Sequence, residues 1–215
     1  MANLDFKNQQ QIIDYATLAT QIVKQDNKIE DVESKVLQRT ISKEISNAII
    51  AREERGLKTN GIICTFHAIL NENERNLNIK DVEYNQHRSD YEEVIGLHYK
   101  KARQTNRDYI WVLITDRHFK PDIDNLDDEV TKGNICLIRN DINTEHLMFE
   151  RAVLNYNLCK ALGMNMNIVY LDGDAFIMES IEKIWNIDSN IILTYREQTE
   201  AGTIVPINEG VIFCK

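Results

Sequence analysis

Asn167-Ile168-Val169-Tyr170-Leu171-Asp172-Gly173-Asp174-Ala175-Phe176-Ile177 is an apolar, β-prone run that stops abruptly at two carboxylates separated by a glycine. The run has the composition of a buried strand, and its abrupt polar end places that strand's tip at a site. Side chains two apart on an extended backbone point the same way, so Asp172 and Asp174 can face one cation or its water shell, with Gly173 letting the chain bend between them. Oxygen-only ligands suit Mg2+ or Mn2+ rather than zinc. Such ions are usually held by one or two carboxylates while a substrate's phosphates complete the shell. The pair therefore predicts a metal centre for a nucleotide or diphosphate ligand, against the plainer reading of a capped turn.

A second pair, Asp122-Ile123-Asp124, sits among Pro121, Asn125, Asp127 and Asp128, the composition of a solvated loop, and is read as a chance match.

The surroundings bound the chemistry. In 215 residues, 43% hydrophobic and 27% charged, there is enough apolar material for one sizeable core or a compact domain with a helical appendage. A net charge of −9 argues against a duplex nucleic-acid partner, which demands clustered Lys and Arg. Cys64, Cys136, Cys159 and Cys214 are far apart, form no Cys-x-x-Cys pair and read as reduced thiols. The N-terminus has neither a basic nor an apolar leader region, and no stretch approaches the roughly 20 apolar residues of a membrane span. These features predict a cytoplasmic protein, able to dock on a membrane through a partner.

From about residue 8 to 55, apolar residues including Ile12, Ile13, Ala16, Ile22, Val23, Ile29, Val32, Val36, Ile41, Ile45 and Ala48 recur three or four apart. They predict two amphipathic helices, broken near Gln25-Asp26-Asn27 and capped at Gly56. This segment, residues 1–58, is read as a helical unit packing on the rest or joining subunits in a homo-oligomer. Residues 59–215 then switch to short β-rich runs separated by helical stretches, which predicts an α/β domain with a mostly parallel, Rossmann-like sheet flanked by helices. Strands are expected at Ile62–Phe66, Tyr109–Thr115, Ile135–Arg139, Ile168–Leu171, Ile191–Tyr195 and Val211–Phe213. Helices are expected at Ser89–Arg103, opened by a Ser89/Glu92 capping box, at Thr144–Leu162, stopped by Gly163, and at Met178–Trp185.

Polar residues gather where strands should end: Thr65 and His67, Thr115 and Asp116, Asn140 and Asp141, Asp172 and Asp174. Open α/β sheets bind ligands outside the carboxyl ends of their strands. Arg139 and Arg196, each beside a strand end, can take phosphate in a two-pronged contact or form surface salt bridges. His67 reads as a turn residue ahead of a ligand contact. His87, His98, His118 and His146 lack zinc-pair spacing, and Trp111 and Trp185 read as core.

The stretch Val169–Met178, preceded by a helix ending in Cys159-Lys160-Ala161-Leu162-Gly163, resembles that of nucleotide-diphospho-sugar glycosyltransferases of the A fold. Pro206-Ile207-Asn208-Glu209-Gly210-Val211-Ile212-Phe213 is similar to the Phe-Asn-x-Gly-Val segment those enzymes place near the acceptor and donor sugar. Ile62–Phe66 would be their first strand, whose end meets the nucleoside. The resemblance covers about residues 61–215. It implies that Asp174, with Asp172 reaching the ion or the ribose, holds a Mn2+ or Mg2+ ion bridging the two phosphates of a sugar nucleotide, a UDP-sugar first among them. The ion then neutralises charge on the departing diphosphate. Together with the strand ends it gives a substrate-binding set of Thr65, Phe66, His67, Asp116, Arg139, Asp172, Asn208 and Gly210, and an unidentified glycan or protein acceptor.

An inverting transferase also needs a carboxylate base; Glu197, Glu200 and Glu209 are the candidates, with Glu209 favoured by its place inside the Asn-x-Gly-Val segment. A retaining enzyme would not. Such enzymes often take a third metal ligand, a histidine, from a later segment, whereas no histidine follows His146 here. That leaves a truncated, minimal or inactive relative as the expectation. Two alternatives stand beside the transferase: a phosphohydrolase with Asp172 as nucleophile and Asp174 as acid, and a catalytically incomplete sugar-nucleotide-binding or assembly module. The first is disfavoured because that motif normally opens its domain and because Phe176 replaces a small β-branched residue.

Overall fold

The computed structural model describes residues 30–68, 82–117, 119, 121–142, 146–163, 166–172, 175–195 and 207–215. The first predicted helix, before residue 25, lies outside them. In chain order the elements are α1 (Glu30–Glu53), β1 (Gly61–His67), α2 (Val82–Thr105), β2 (Tyr109–Asp116), α3 (Leu126–Thr131), β3 (Ile135–Asn140), α4 (Leu147–Leu162), β4 (Asn167–Leu171), a 3-10 helix (Glu182–Asn186), β5 (Ile191–Tyr195) and β6 (Ile207–Cys214).

The six strands form one sheet in the order β3-β2-β1-β4-β6-β5. β1 to β4 are mutually parallel, and β6 runs antiparallel to both β4 and β5, so five strands share one direction. The fold is thus the expected α/β sheet, mostly parallel and flanked by helices. β2 is buried along its whole length and β1 nearly so, which is why both read as unbroken apolar runs rather than alternating ones.

Alternation shows only in which layer each side chain joins. On one face Ile63, Trp111, Leu113, Ile135, Val169 and Leu171 pack with Ile95, Tyr99 and Ala102 of α2 and with Ile177 and Ile181. On the other, Ile62, Cys64, Ile110, Val112, Ile114, Ile138, Ile168 and Tyr170 pack with Ile41, Ile45 and Ala48 of α1 and Leu154 and Leu158 of α4. Ile41, Ile45 and Ala48 fall at helical spacing, one stripe of α1. Its C-terminal turn is fixed by Arg52, whose buried guanidinium donates to Thr59 Oγ1, Asn134 Oδ1 and the carbonyls of Lys58 and Arg107 at 3.0, 3.1, 2.7 and 2.8 Å. Gln38 of α1 also donates to Asn157 of α4 at 2.8 Å. Among the described residues no helix is long and apolar enough to cross a membrane, and all four cysteines are free thiols.

Gly56 and Gly163 take the left-handed conformation (φ 69° and 61°) just past α1 and α4, as their reading as stops required. The helix starts differ from expectation. α2 begins at Val82, so Ser89 lies inside it: Val82 to Arg88 contains no Gly or Pro to halt a helix, and a capping-box spacing has no force where the turn before it is already helical. α4 starts at Leu147 with His146 as its cap and no side-chain cap bond, while Thr144 is outside the described residues. In place of a helix from Met178 the chain makes a short 3-10 helix at Glu182–Asn186, because Ile177 and Ile181 drop into the core and leave Met178, Glu179 and Ser180 outside. β6 is longer than expected at both ends.

Candidate functional site

Asp172 follows directly on Leu171 at the carboxyl end of β4. The chain runs outward from β1 to β2 to β3, then returns to the other side of β1 as β4, so the strand order reverses between β1 and β4. In open α/β sheets the crevice beyond such a reversal is where ligands bind. Asp172 sits on that rim. Its N–H donates to the Gly210 carbonyl of β6 at 2.7 Å, and its carbonyl accepts from Ala175 N–H at 3.1 Å. Asp174 itself lies outside the described residues.

Leu171 joins the α2 layer, so the next side chain turns toward the α4 layer. There the Asp172 carboxylate is ion-paired with the guanidinium of Arg151, in the opening turns of α4; the two side chains are 33% and 16% exposed. A carboxylate open to solvent beside an arginine, both held by the central sheet, can engage a phosphate and its counter-cation together. Arg151 escaped the sequence reading. Its only signal was position, an arginine two turns into a helix that starts from the carboxyl rim.

The other expected residues divide. Thr65 is buried, its Oγ1 accepting from Trp111 Nε1 at 3.0 Å, and Phe66 turns to the opposite layer beside α1 and α4. His67, the last residue of β1, is 6% exposed, stacks on Phe119 at 5.5 Å between centroids, and has no partner at Nε2 among the described residues. It is not the satisfied turn residue expected: β1 extends through it and the imidazole faces the core. Asp116 ends β2, buried, and its Oδ1 accepts from Phe119 N–H at 3.0 Å. Arg139 donates to the carbonyls of Asp116, Arg117 and Phe119 at 3.4, 3.2 and 2.8 Å, tying down the loop after β2. Gly210 is buried beside Asp172, and Asn208 and Glu209 precede it on β6. The side chains of Asn208 and Glu209, and the whole of Arg196, Glu197 and Glu200, are outside the described residues.

Two histidines here are held neutral. Burial, with His98 and Arg151 adding to it, lowers His67 to about 3, and burial lowers His98 to about 4. Trp111 is buried as read, while Trp185 is half-buried, with Nε1 on Tyr109 Oη at 2.5 Å.

Asp122 and Asp124, set aside in the sequence, are both exposed in the loop before α3. They edge a groove of about 520 Å³ between α2 and α3, on the flank of the sheet rather than on its rim.

No protein-family profile matches the chain, and no curated protein matches it. Among solved structures it is similar to the glycosyltransferase GlyE of Streptococcus pneumoniae TIGR4, at 15% identity and a TM-score of 0.40 over 73% of this chain and 34% of that one. It is also similar to the galactosyltransferase LgtC in complex with donor and acceptor sugar analogues, at 14% identity and a TM-score of 0.37 over 71% of this chain and 57% of that one. The chain therefore spans between about a third and rather more than half of the length of these neighbours.

Proposed function

We propose that the chain is a metal-dependent glycosyltransferase domain that binds a nucleotide-diphospho-sugar, a UDP-sugar first, at the carboxyl rim between β1 and β4 and transfers the sugar to a glycan or protein acceptor. The observation that carries this reading is the place of Asp172: at the tip of a central strand, where the strand order reverses, partly open and beside Arg151. The sequence adds the rest, an Asp-x-Asp at that tip and an Asn-x-Gly-Val segment whose glycine is hydrogen-bonded to it.

The donor chemistry fits a hard divalent ion in the manner of Mg2+ or Mn2+, with few protein carboxylates and the remaining positions left to phosphate and water. Asp172 and Asp174 would hold it, and when bound it supplies Lewis-acid neutralisation of the leaving diphosphate. Arg151 orients Asp172 and offers its fork to a phosphate oxygen. Gly210 fixes the backbone of Asp172 and carries Glu209, the base an inverting reaction would use, on the adjoining residue.

Calorimetric titration with UDP-, GDP- and CDP-sugars, with and without Mn2+, tests the reading on the intact chain and on Asp174→Asn. Manganese-dependent binding of one nucleotide sugar, lost in the variant, is the expected result. Silence from all three in either condition sinks it. Binding without sugar transfer or hydrolysis would mark a binding module instead.

A further inference from the structure

His67 and Thr115 are register partners on neighbouring strands at the carboxyl rim, and both side chains turn toward the α2 layer. His98 reaches in from α2, edge-on against Trp111 at 4.7 Å and tilted against Phe176 at 4.9 Å between ring centroids. All three polar side chains are at least nine-tenths buried: His67 is 6% exposed, His98 and Thr115 0%. Yet among the described residues His67 Nε2, both nitrogens of His98 and Thr115 Oγ1 find no hydrogen-bond partner. Each orphaned buried group is destabilising, so an apolar core would be the more stable solution at these positions. Phe176, 42% exposed and two residues after Asp174, packs on His98.

The unmet chemistry is specific. A neutral imidazole offers one donor and one acceptor, and a threonine hydroxyl offers both. Their partner must itself donate and accept, which a hydroxyl group does and a phosphate or carboxylate does not. Resting on the donor-site reading above, we infer that His67, His98 and Thr115 form a subsite for the hydroxyl groups of a neutral sugar, entered beneath Phe176, and that it selects against sugars carrying a carboxylate. The uncharged state of both histidines agrees with this, since neither can balance an anion.

The test compares free UDP and GDP with UDP-glucose and GDP-mannose, and with UDP-glucuronate, by calorimetry in Mn2+. It uses the wild-type chain, the isosteric Thr115→Val and His98→Leu. The neutral sugar is expected to bind more tightly than its free diphosphate, and each variant to lose about five- to tenfold of that margin, one hydrogen bond's worth. Affinity for the free diphosphate stays put, and glucuronate adds nothing over UDP. Thermal melts keep the argument honest: both variants should melt at or above the wild-type temperature, because each removes an unsatisfied group. A sugar margin untouched by either variant, or glucuronate bound as well as glucose, overturns the subsite, as does a high-resolution map showing only trapped water on these atoms in a sugar complex. Failure of every nucleotide to bind overturns the donor-site reading as well, so the two failures are told apart.

Discussion

The N–H of Asp172 donates to the carbonyl of Gly210 at 2.7 Å, so the tip of β4 and the opening half of β6, far apart in the chain, meet through one backbone bond. The carboxylate of the Asp-x-Asp therefore has a fixed backbone, and its partner on the other side is Arg151. What happens when either charge is removed follows from that arrangement.

Asp172→Asn keeps the shape and the Gly210 bond but removes the charge a divalent ion requires. Manganese-dependent nucleotide-sugar affinity should fall at least tenfold, with little change in the melting temperature because the side chain is partly open. Arg151→Met should weaken diphosphate binding by about tenfold, and Arg151→Lys should restore part of it, since an ammonium supplies charge without the fork. Calorimetry with UDP and Mn2+ reads both. Equal loss in the Lys and Met variants would refute the two-pronged role.

Arg52→Met tests what anchors α1. Thr59 Oγ1 and the Lys58 carbonyl lose the arginine that donates to them, while Asn134 Oδ1 and the Arg107 carbonyl keep only Arg103. Urea unfolding should show a loss of about 2–4 kcal/mol. A loss under about 0.5 kcal/mol would mean that these acceptors find water instead.

Gly61→Ala probes the β1–β4 seam at the end of the sheet opposite the rim, where Gly61 pairs with Asn167. A Cβ there would stand 2.5 Å from the carbonyl oxygen of Asn167, a backbone atom of β4 that cannot swing away. The start of β1 and β4 would be pushed apart, at a cost of about 1–3 kcal/mol. Thermal melting measures it.

The buried histidines set an acid limit. An unfolded histidine titrates at 6.5, while folded His67 and His98 do so at about 3 and about 4. The unfolded chain therefore binds more protons between these values, so stability is fully present above pH 6.5 and falls as pH drops toward 4. The groups facing His67 are His98 and Arg151, both of which oppose its protonation. For His98 alone the loss across that window is on the order of 3 kcal/mol. His98→Leu should flatten the stability profile between pH 6.5 and 4 in urea melts; an unchanged slope would contradict the assignment.

The sheet was legible because buried parallel strands announce themselves as short apolar runs, and Ile191–Tyr195 begins and ends where the run does. Rim residues were harder to place. Thr65 and His67 read as a polar strand end, with Phe66 in the same substrate-binding set, but consecutive strand residues face opposite layers, so Phe66 turns away and only His67 reaches the rim on the α2 side. Asp116 and Arg139 were read for ligand chemistry, and in the structure both fasten the loop after β2. Nothing local distinguishes a carboxylate that closes a turn from one that waits for a metal. Arg151 was invisible for the same reason: its importance comes from α4 crossing behind β4, a tertiary fact. The orphaned nitrogens of His98 belong to the same class, since burial without a partner is a property of neighbours and not of a sequence window.

β6 runs against every other strand. The parallel strands deliver their last residues to the rim, but a reversed strand delivers its first, so β5 leaves the rim at Tyr195 and β6 re-enters there at Ile207. The chain thus leaves and re-enters the sheet at the same rim, on either side of residues 196–206. The ladder from Val211 to Cys214 meanwhile holds β6 against the central strand β4, independent of what joins its start to β5. One backward strand thus brings the end of β5 and the start of β6 together at the edge where Asp172 sits.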